Sequence, residues 1–273
     1  MGKAQDTAVL NRIMEIELAL KQTAMDIIQA PVESWRRKAT ANFMDSFATL
    51  LEYPESFDYP FDSLLPIQKI TSSDKKIRIY TFNLILNNQD HHYYGFVQHK
   101  TKEGIELIEL RDTLQTLPRE HLFVELYTNE WIGSIYYGIK QFKKKGITYY
   151  TVLGYDGATI QSSKKWADVL WFNKEGELTF GYPLFKINED DYEPQYRFEF
   201  EYANEASVVL RHETSNKNNK DMIIFSHVDA KTPEFKDVRE AYYPDGTYDF
   251  FLFEKKKWVW YRNLMYFDFK SNE

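Results

Sequence analysis

The chain has 273 residues, a formal net charge of −7 from 34 Lys+Arg and 41 Asp+Glu, 20 Tyr, 20 Phe, 6 Trp and no Cys. The missing thiols exclude disulfides, thiolate-bound zinc, a Cys nucleophile and a lipid-anchoring Cys. A hydrophobic content of 43% excludes a disordered chain, and the acidic balance argues against a nucleic-acid partner, which needs a basic field.

Residues 5–52 read as helical. Ile13, Ile16, Leu20, Ala24, Ile27 and Ile28 recur at three- and four-residue steps and make one apolar stripe. Pro31 breaks it, and Trp35, Ala39, Phe43, Phe47, Leu50 and Leu51 form a second stripe. Glu15, Glu17, Lys21 and Asp26 interrupt the first, so it predicts neither a membrane-spanning helix nor a secretory signal. Pro54, Pro60 and Pro66 mark an irregular crossing.

From residue 67 the period changes to two, with strands predicted over 76–86, 93–99 and 105–110. Residues 112–121 read as a helical turn. Strands at 134–142 and 147–154 flank Lys143, Lys144, Lys145 and Gly146 as a hairpin, and 166–172 and 177–185 flank the turn Asn173, Lys174, Glu175, Gly176. In 196–202, Tyr196, Phe198, Phe200 and Tyr202 face one way and Arg197, Glu199 and Glu201 the other, a half-buried antiparallel strand. Strands at 207–212 and 222–227 follow, with a polar loop at 214–220 between them. A last hairpin, 248–253 and 258–261, turns over Lys255, Lys256 and Lys257. Both Lys runs read as solvated tips. The fold class is therefore α+β, mainly antiparallel β: a meandering barrel or sandwich of about twelve strands with an N-terminal helical pair. The expected division is a helical flank, 1–66, and a β domain, 67–273, within one folded unit.

Strong catalytic signatures are missing. There is no Gly-x-Ser-x-Gly elbow and no His-Glu-x-x-His helix. Gly133 to Lys140 narrowly misses a phosphate loop, because Ile139 separates the second Gly from the Lys. Asp90, His92 and His99, with His91 beside them, are the residues a metal would choose, but a solvated hairpin tip is the weightier reading. His212 and His227 read as ordinary hydrogen-bonding residues. No metal and no cofactor are expected. Asp156, Asp168, Glu189, Asp190, Asp191 and Asp245 are the carboxylates from which a hydrolase would draw an acid and a base, yet Asp156-Gly157 and Asp245-Gly246 are turn dipeptides. A calcium loop at 189–191 lacks the alternating ligands such a site uses. The aromatic excess is the most informative feature, because Tyr and Trp offer a flat apolar face with a polar handle. Trp131, Tyr155, Trp166 and Trp171 lie near turns or strand ends and, with Asp156, are the candidate ligand-binding residues. Each is singly more in keeping with the core, since aromatics enrich strands in any case.

Several segments fall in a familiar order: Ser56-Phe57-Asp58-Tyr59-Pro60-Phe61-Asp62-Ser63-Leu64, Lys76-Ile77-Arg78-Ile79-Tyr80-Thr81-Phe82, Trp131-Ile132-Gly133-Ser134-Ile135-Tyr136-Tyr137, Tyr149 to Gly157, Phe180-Gly181-Tyr182-Pro183-Leu184-Phe185, and Tyr243-Pro244-Asp245-Gly246-Thr247-Tyr248-Asp249. Together they resemble a family of uncharacterised bacterial proteins commonly encoded with an export signal, over residues 35–262. The resemblance implies no activity and no catalytic residues. It implies a periplasmic, outer-envelope or secreted location if an export signal has been removed; without that, the chain reads as cytoplasmic. The leading expectation is a non-catalytic, exported β-rich binding module for a glycan, envelope component or protein partner. The alternatives are a carboxylate-dependent, glycosidase-like hydrolase, or an assembly protein that docks through its N-terminal helices.

Overall fold

A computed structural model describes residues 2–112, 119–187, 193–215 and 219–265. The chain divides into two compact units, Met1–Leu114 with Trp131–Tyr136, and Gln115–Glu130 with Tyr137–Glu273.

The first unit holds helices α1 (Gly2–Gln29) and α2 (Glu33–Leu51) and the strands β1 (Gln68–Thr71), β2 (Ile77–Ile85), β3 (His91–Lys100) and β4 (Ile105–Arg111). The strands form one antiparallel sheet in chain order. Each helix follows its stripe. Ile13, Leu20, Ala24 and Ile27 of α1 share one core with Phe43, Phe47, Leu50 and Leu51 of α2 and with Tyr80, Phe82 and Phe96 of the sheet. Phe47 sits at its centre, its ring 5.2 Å from Tyr80, 5.5 Å from Phe61 and 6.1 Å from Phe96. Among the described residues no helix is long and apolar enough to cross a membrane.

The proline-marked crossing is pinned by buried charge. Arg78 on β2 donates to the carbonyls of Ser56, Phe57 and Tyr59 at 3.1, 2.7 and 2.5 Å. The Glu17 carboxylate of α1 accepts from Tyr59 Oη and Ser63 N, both at 2.7 Å. Irregular backbone is thereby satisfied without a ladder of its own.

The second unit contains β5 (Leu126–Tyr127), most of β6 (Ile135–Lys144), β7 (Ile147–Asp156), β8 (Ser162–Phe172), β9 (Leu178–Phe180), β10 (Phe185–Lys186), β11 (Phe198–Ala203), β12 (Leu210–Thr214), β13 (Asp221–Ala230), β14 (Tyr242–Glu254) and β15 (Lys257–Tyr261). One sheet has the order β5-β9-β8-β7-β6, with β11 also against β8, and the other the order β10-β15-β14-β13-β12. The two sheets face each other across one core. Tyr149, Leu153, Ala167 and Val169 come from the first sheet, and Ile223, Phe225, Phe251 and Trp258 from the second. Trp258 Nε1 donates to Thr151 Oγ1 at 3.0 Å, tying sheet to sheet. Lys255 and Lys256 have φ of 49° and 60°, and Lys145 and Gly146 of 51° and 83°, which makes both Lys tips two-residue hairpin loops with the twist that strands favour.

The α+β, mainly antiparallel architecture is as expected. The sheets are open among the described residues, so the second unit is a sandwich and not a barrel. Among the described residues there are fifteen strands, a few more than the dozen expected. The added ones are mostly two to four residues long and are defined by ladder partners, which alternation does not reveal. The helices and strands β2 to β4 bury one shared core within the first unit. The region read as a helical turn at 112–121 has a 3-10 turn over Arg119–Phe123, while 113–118, and 216–218 of the polar loop, lie outside the described residues.

Two outcomes follow from these cores. Phe47→Ala lowers the unfolding free energy by about 3–5 kcal/mol in urea titration, and deletion of residues 1–52 abolishes folding of the first unit, read as loss of its near-ultraviolet circular dichroism. His212 on β12 lies within the sandwich, its Nε2 3.2 Å from Thr151 O. Burial depresses its pKa to about 4 from an ordinary 6.5. Below pH 6.5 the unfolded chain takes up a proton that the folded chain refuses, so stability falls by roughly 3 kcal/mol between pH 6.5 and 4. His212→Gln flattens that slope in denaturant titrations across this range.

Candidate functional site

A cleft of about 410 Å³ opens in the second unit beside β11, whose other edge pairs with β8. The alternation of β11 sends Phe198, Phe200 and Tyr202 to one side. Phe198 and Phe225 are buried and make the base, with ring centroids 4.9 Å apart. Phe200 and Trp260, half-buried, lie at 6.0 and 5.5 Å from Phe225 and present aromatic surface to the opening. Asp249, itself buried, holds the indole: its Oδ2 accepts from Trp260 Nε1 at 3.2 Å and its Oδ1 from Asn263 N at 2.9 Å.

The walls are polar. Glu199 Oε2 lies 3.3 Å from His121 Nε2, and Glu201 lies 3.8 Å from Lys164 Nζ and accepts from Ser162 Oγ. His227 stands where the β13–β14 ladder slips between Ser226 and Val228. Opposite the slip, Gly246 at φ +90° lets β14 bulge, which re-aims the neighbouring side chains. There His227 Nδ1 meets Asp245 Oδ2 at 3.0 Å. Partial burial raises the Asp245 pKa, but hydrogen bonds from Thr247 and His227 outweigh it and leave the carboxyl below its ordinary value. Arg239, exposed, lies over the Tyr242 ring at 4.7 Å, and Arg262 stands exposed at the rim. Among the described residues neither arginine has a carboxylate within 4 Å.

Behind the cleft lies a buried ion pair. Arg197 Nε is 3.3 Å from Asp168 Oδ1, and both side chains are withdrawn from solvent. Burial pushes the Asp168 carboxyl up, and the Arg197 guanidinium pulls it down. Arg197 Nη1 also donates to the carbonyls of His121 and Val124, the latter at 3.2 Å. Gly181, at φ +87°, leaves the room this guanidinium needs; a Cβ there would run into Nη2 and into Val124 O. Tyr196 N donates to Leu122 O at 2.7 Å, so the segment bearing Leu122 and His121 is fastened to the start of β11.

None of the five residues singled out from the sequence lines the cleft. Trp131 is fully buried, its Nε1 donating to Tyr136 Oη at 2.9 Å. Trp166 is buried with its ring 5.7 Å from His121. Trp171 is half-buried, donates to Gly181 O at 3.0 Å and packs on Tyr149 and Tyr182. Tyr155 Oη lies 3.1 Å from Ser163 Oγ. Asp156 is buried and accepts from Ala158 N at 2.9 Å, as a turn-supporting Asp does. None of Asp156, Asp168 and Asp245 lines the cleft, and 189–191 lie outside the described residues. Asp90, His92 and His99 do not converge either. His92 and His99 belong to one strand, seven residues apart, which puts them at opposite ends, roughly 23 Å from each other. No cluster of three metal-ligating side chains occurs among the described residues.

The cleft residues came from strands whose alternation was legible, but their convergence was not. Phe200 and Trp260 are 60 positions apart, and Arg239 and Arg262 carry no local signal. No family model matches the chain, and no curated protein and no solved structure does either.

Arg197→Ala strands the Asp168 carboxylate in the interior and costs about 3–5 kcal/mol in denaturant titration.

Proposed function

We propose that the protein is a non-catalytic binding module and that it takes a glycan in the cleft beside β11, at the cell envelope or outside the cell. The observation that carries this reading is the aromatic surface of Phe200 and Trp260 set in a recess with polar walls. A sugar ring offers an apolar face of C–H groups and an edge of hydroxyls, which matches an aromatic floor and charged walls. The volume lies within the range of small-molecule sites. Asp249 fixes the orientation of the Trp260 indole before any ligand arrives, which reduces the ordering cost of binding.

One observation favours hydrolysis as a second reading. Glu199 and Glu201 are two apart on β11, so both side chains leave the strand on the same side, as a pair from which a glycosidase could draw an acid and a base. Each is held by a neighbour, Glu199 by His121 and Glu201 by Ser162 and Lys164, which suits a structural role better than proton transfer.

Isothermal titration against an oligosaccharide panel checks the first reading. Phe200→Ala weakens binding at least about tenfold while the far-ultraviolet spectrum is unchanged. A panel with no binder overturns it. Release of new reducing ends, lost in Glu201→Gln, would replace it with the hydrolytic one. Fractionation of cells producing the native chain tests the location.

A further inference from the structure

We infer that the ligand of this cleft is an acidic saccharide, one whose sugar rings carry carboxylate or phosphate groups. The inference rests on the glycan reading above and adds the charge of the ligand. It follows from which charged groups at the cleft are already engaged. Among the described residues three acids line it and each is engaged: Glu199 by His121, Glu201 by Ser162 and Lys164, and Asp249 by Trp260 Nε1 and Asn263 N. His227 is committed to Asp245. Arg239 and Arg262 line the same cleft, and among the described residues neither has a carboxylate in reach. The positive groups are thus the ones left with unused capacity.

Their placement adds to this. Arg239 stands on the short turn Arg239–Ala241, next to Tyr242, and its guanidinium lies over that ring at 4.7 Å. Stacking holds the plane of an arginine while leaving its in-plane N–H donors directed outward. Arg262 follows β15 directly, two residues beyond Trp260, so a second fork stands just past the strand that supplies the Trp260 surface. Planar forks bind carboxylate or phosphate through paired hydrogen bonds, whereas a neutral hydroxyl leaves most of their donors unused. The net charge of −7 repels polyanions in general. Anion binding must therefore come from this local arrangement and not from the overall field.

Titration of the full chain with tetragalacturonate, galactotetraose, a phosphorylated galactotetraose and polyglutamate tests the inference. An acidic saccharide binding at least about tenfold more tightly than galactotetraose supports it. That preference must weaken as salt is raised from 50 to 500 mM, and it must collapse in Arg239→Gln/Arg262→Gln without loss of galactotetraose binding. Whichever of tetragalacturonate and the phosphorylated galactotetraose binds more tightly identifies the anionic group. Equal binding of acidic and neutral saccharides overturns the inference and leaves the glycan reading standing. Polyglutamate binding as tightly as the acidic saccharides overturns both in favour of an acidic peptide. No binding by any probe overturns both. Acid-selective binding that survives the double substitution overturns the role of the two arginines.

Discussion

A guanidinium withdrawn from water has to be answered, and much of the second unit is arranged around answering Arg197. Its counter-charge is Asp168 on β8, and the His121 and Val124 carbonyls take further donors. Those partners belong to segments far apart in sequence. One salt bridge thereby joins the start of β11, the middle of β8 and the 119–124 segment, while Gly181 supplies the space. A buried ion pair of this kind is weak as a net source of stability, because desolvation offsets its attraction, but losing one partner is severe. The pair therefore sets where chain segments go more than how tightly the protein folds. Leu122, Glu199 and the aromatic face of β11 reach the cleft on its frame.

The aromatic residues divide into two populations by what surrounds them. Phe43, Phe47, Tyr80, Phe82 and Phe96 close the core of the first unit in edge-on contacts. Phe198, Phe225, Phe251 and Trp258 close the core between the sheets of the second, with Phe225 tilted against both Phe198 and Phe251. Phe200 and Trp260 continue the second cluster outward until it meets solvent. The cleft is thus the exposed margin of a core. That supports its rigidity, since side chains packed from behind have little freedom to lose on binding.

Charge then distinguishes this margin from an ordinary gap in packing. Among the described residues its acids are held by neighbouring donors, and its two rim arginines are not held by acids. A cleft whose acids already accept hydrogen bonds from their neighbours, and whose rim arginines keep their donors free to turn outward, suits an anionic guest held by those two forks in spite of the net charge of the chain. The His227–Asp245 contact at the ladder slip belongs to the same pattern, a bulge that turns side chains toward the opening.

Much of the fold was legible in local pattern. The two helical stripes placed Phe43 and Phe47 inward because a helix repeats every 3.6 residues. The alternation of β11 placed Phe198 and Phe200 together because a strand repeats every two. The Lys tips declared their hairpins, and the turn role of Asp156 was evident from the Gly beside it. The site was far less legible. Trp131, Trp166 and Trp171 stood near turns in sequence, yet Trp131 and Trp166 are buried and Trp171 is tied to Gly181 O, because proximity to a turn says nothing about which layer covers it. Open sheets in place of a barrel, the short strands β5, β9 and β10, the division of the core between two units, and the meeting of Phe200, Trp260, Arg239 and Arg262 were decided only by tertiary structure. Local periodicity reports which side of an element is apolar. Which element lies against that side depends on long-range pairing, and that pairing is set by the packing of the whole chain.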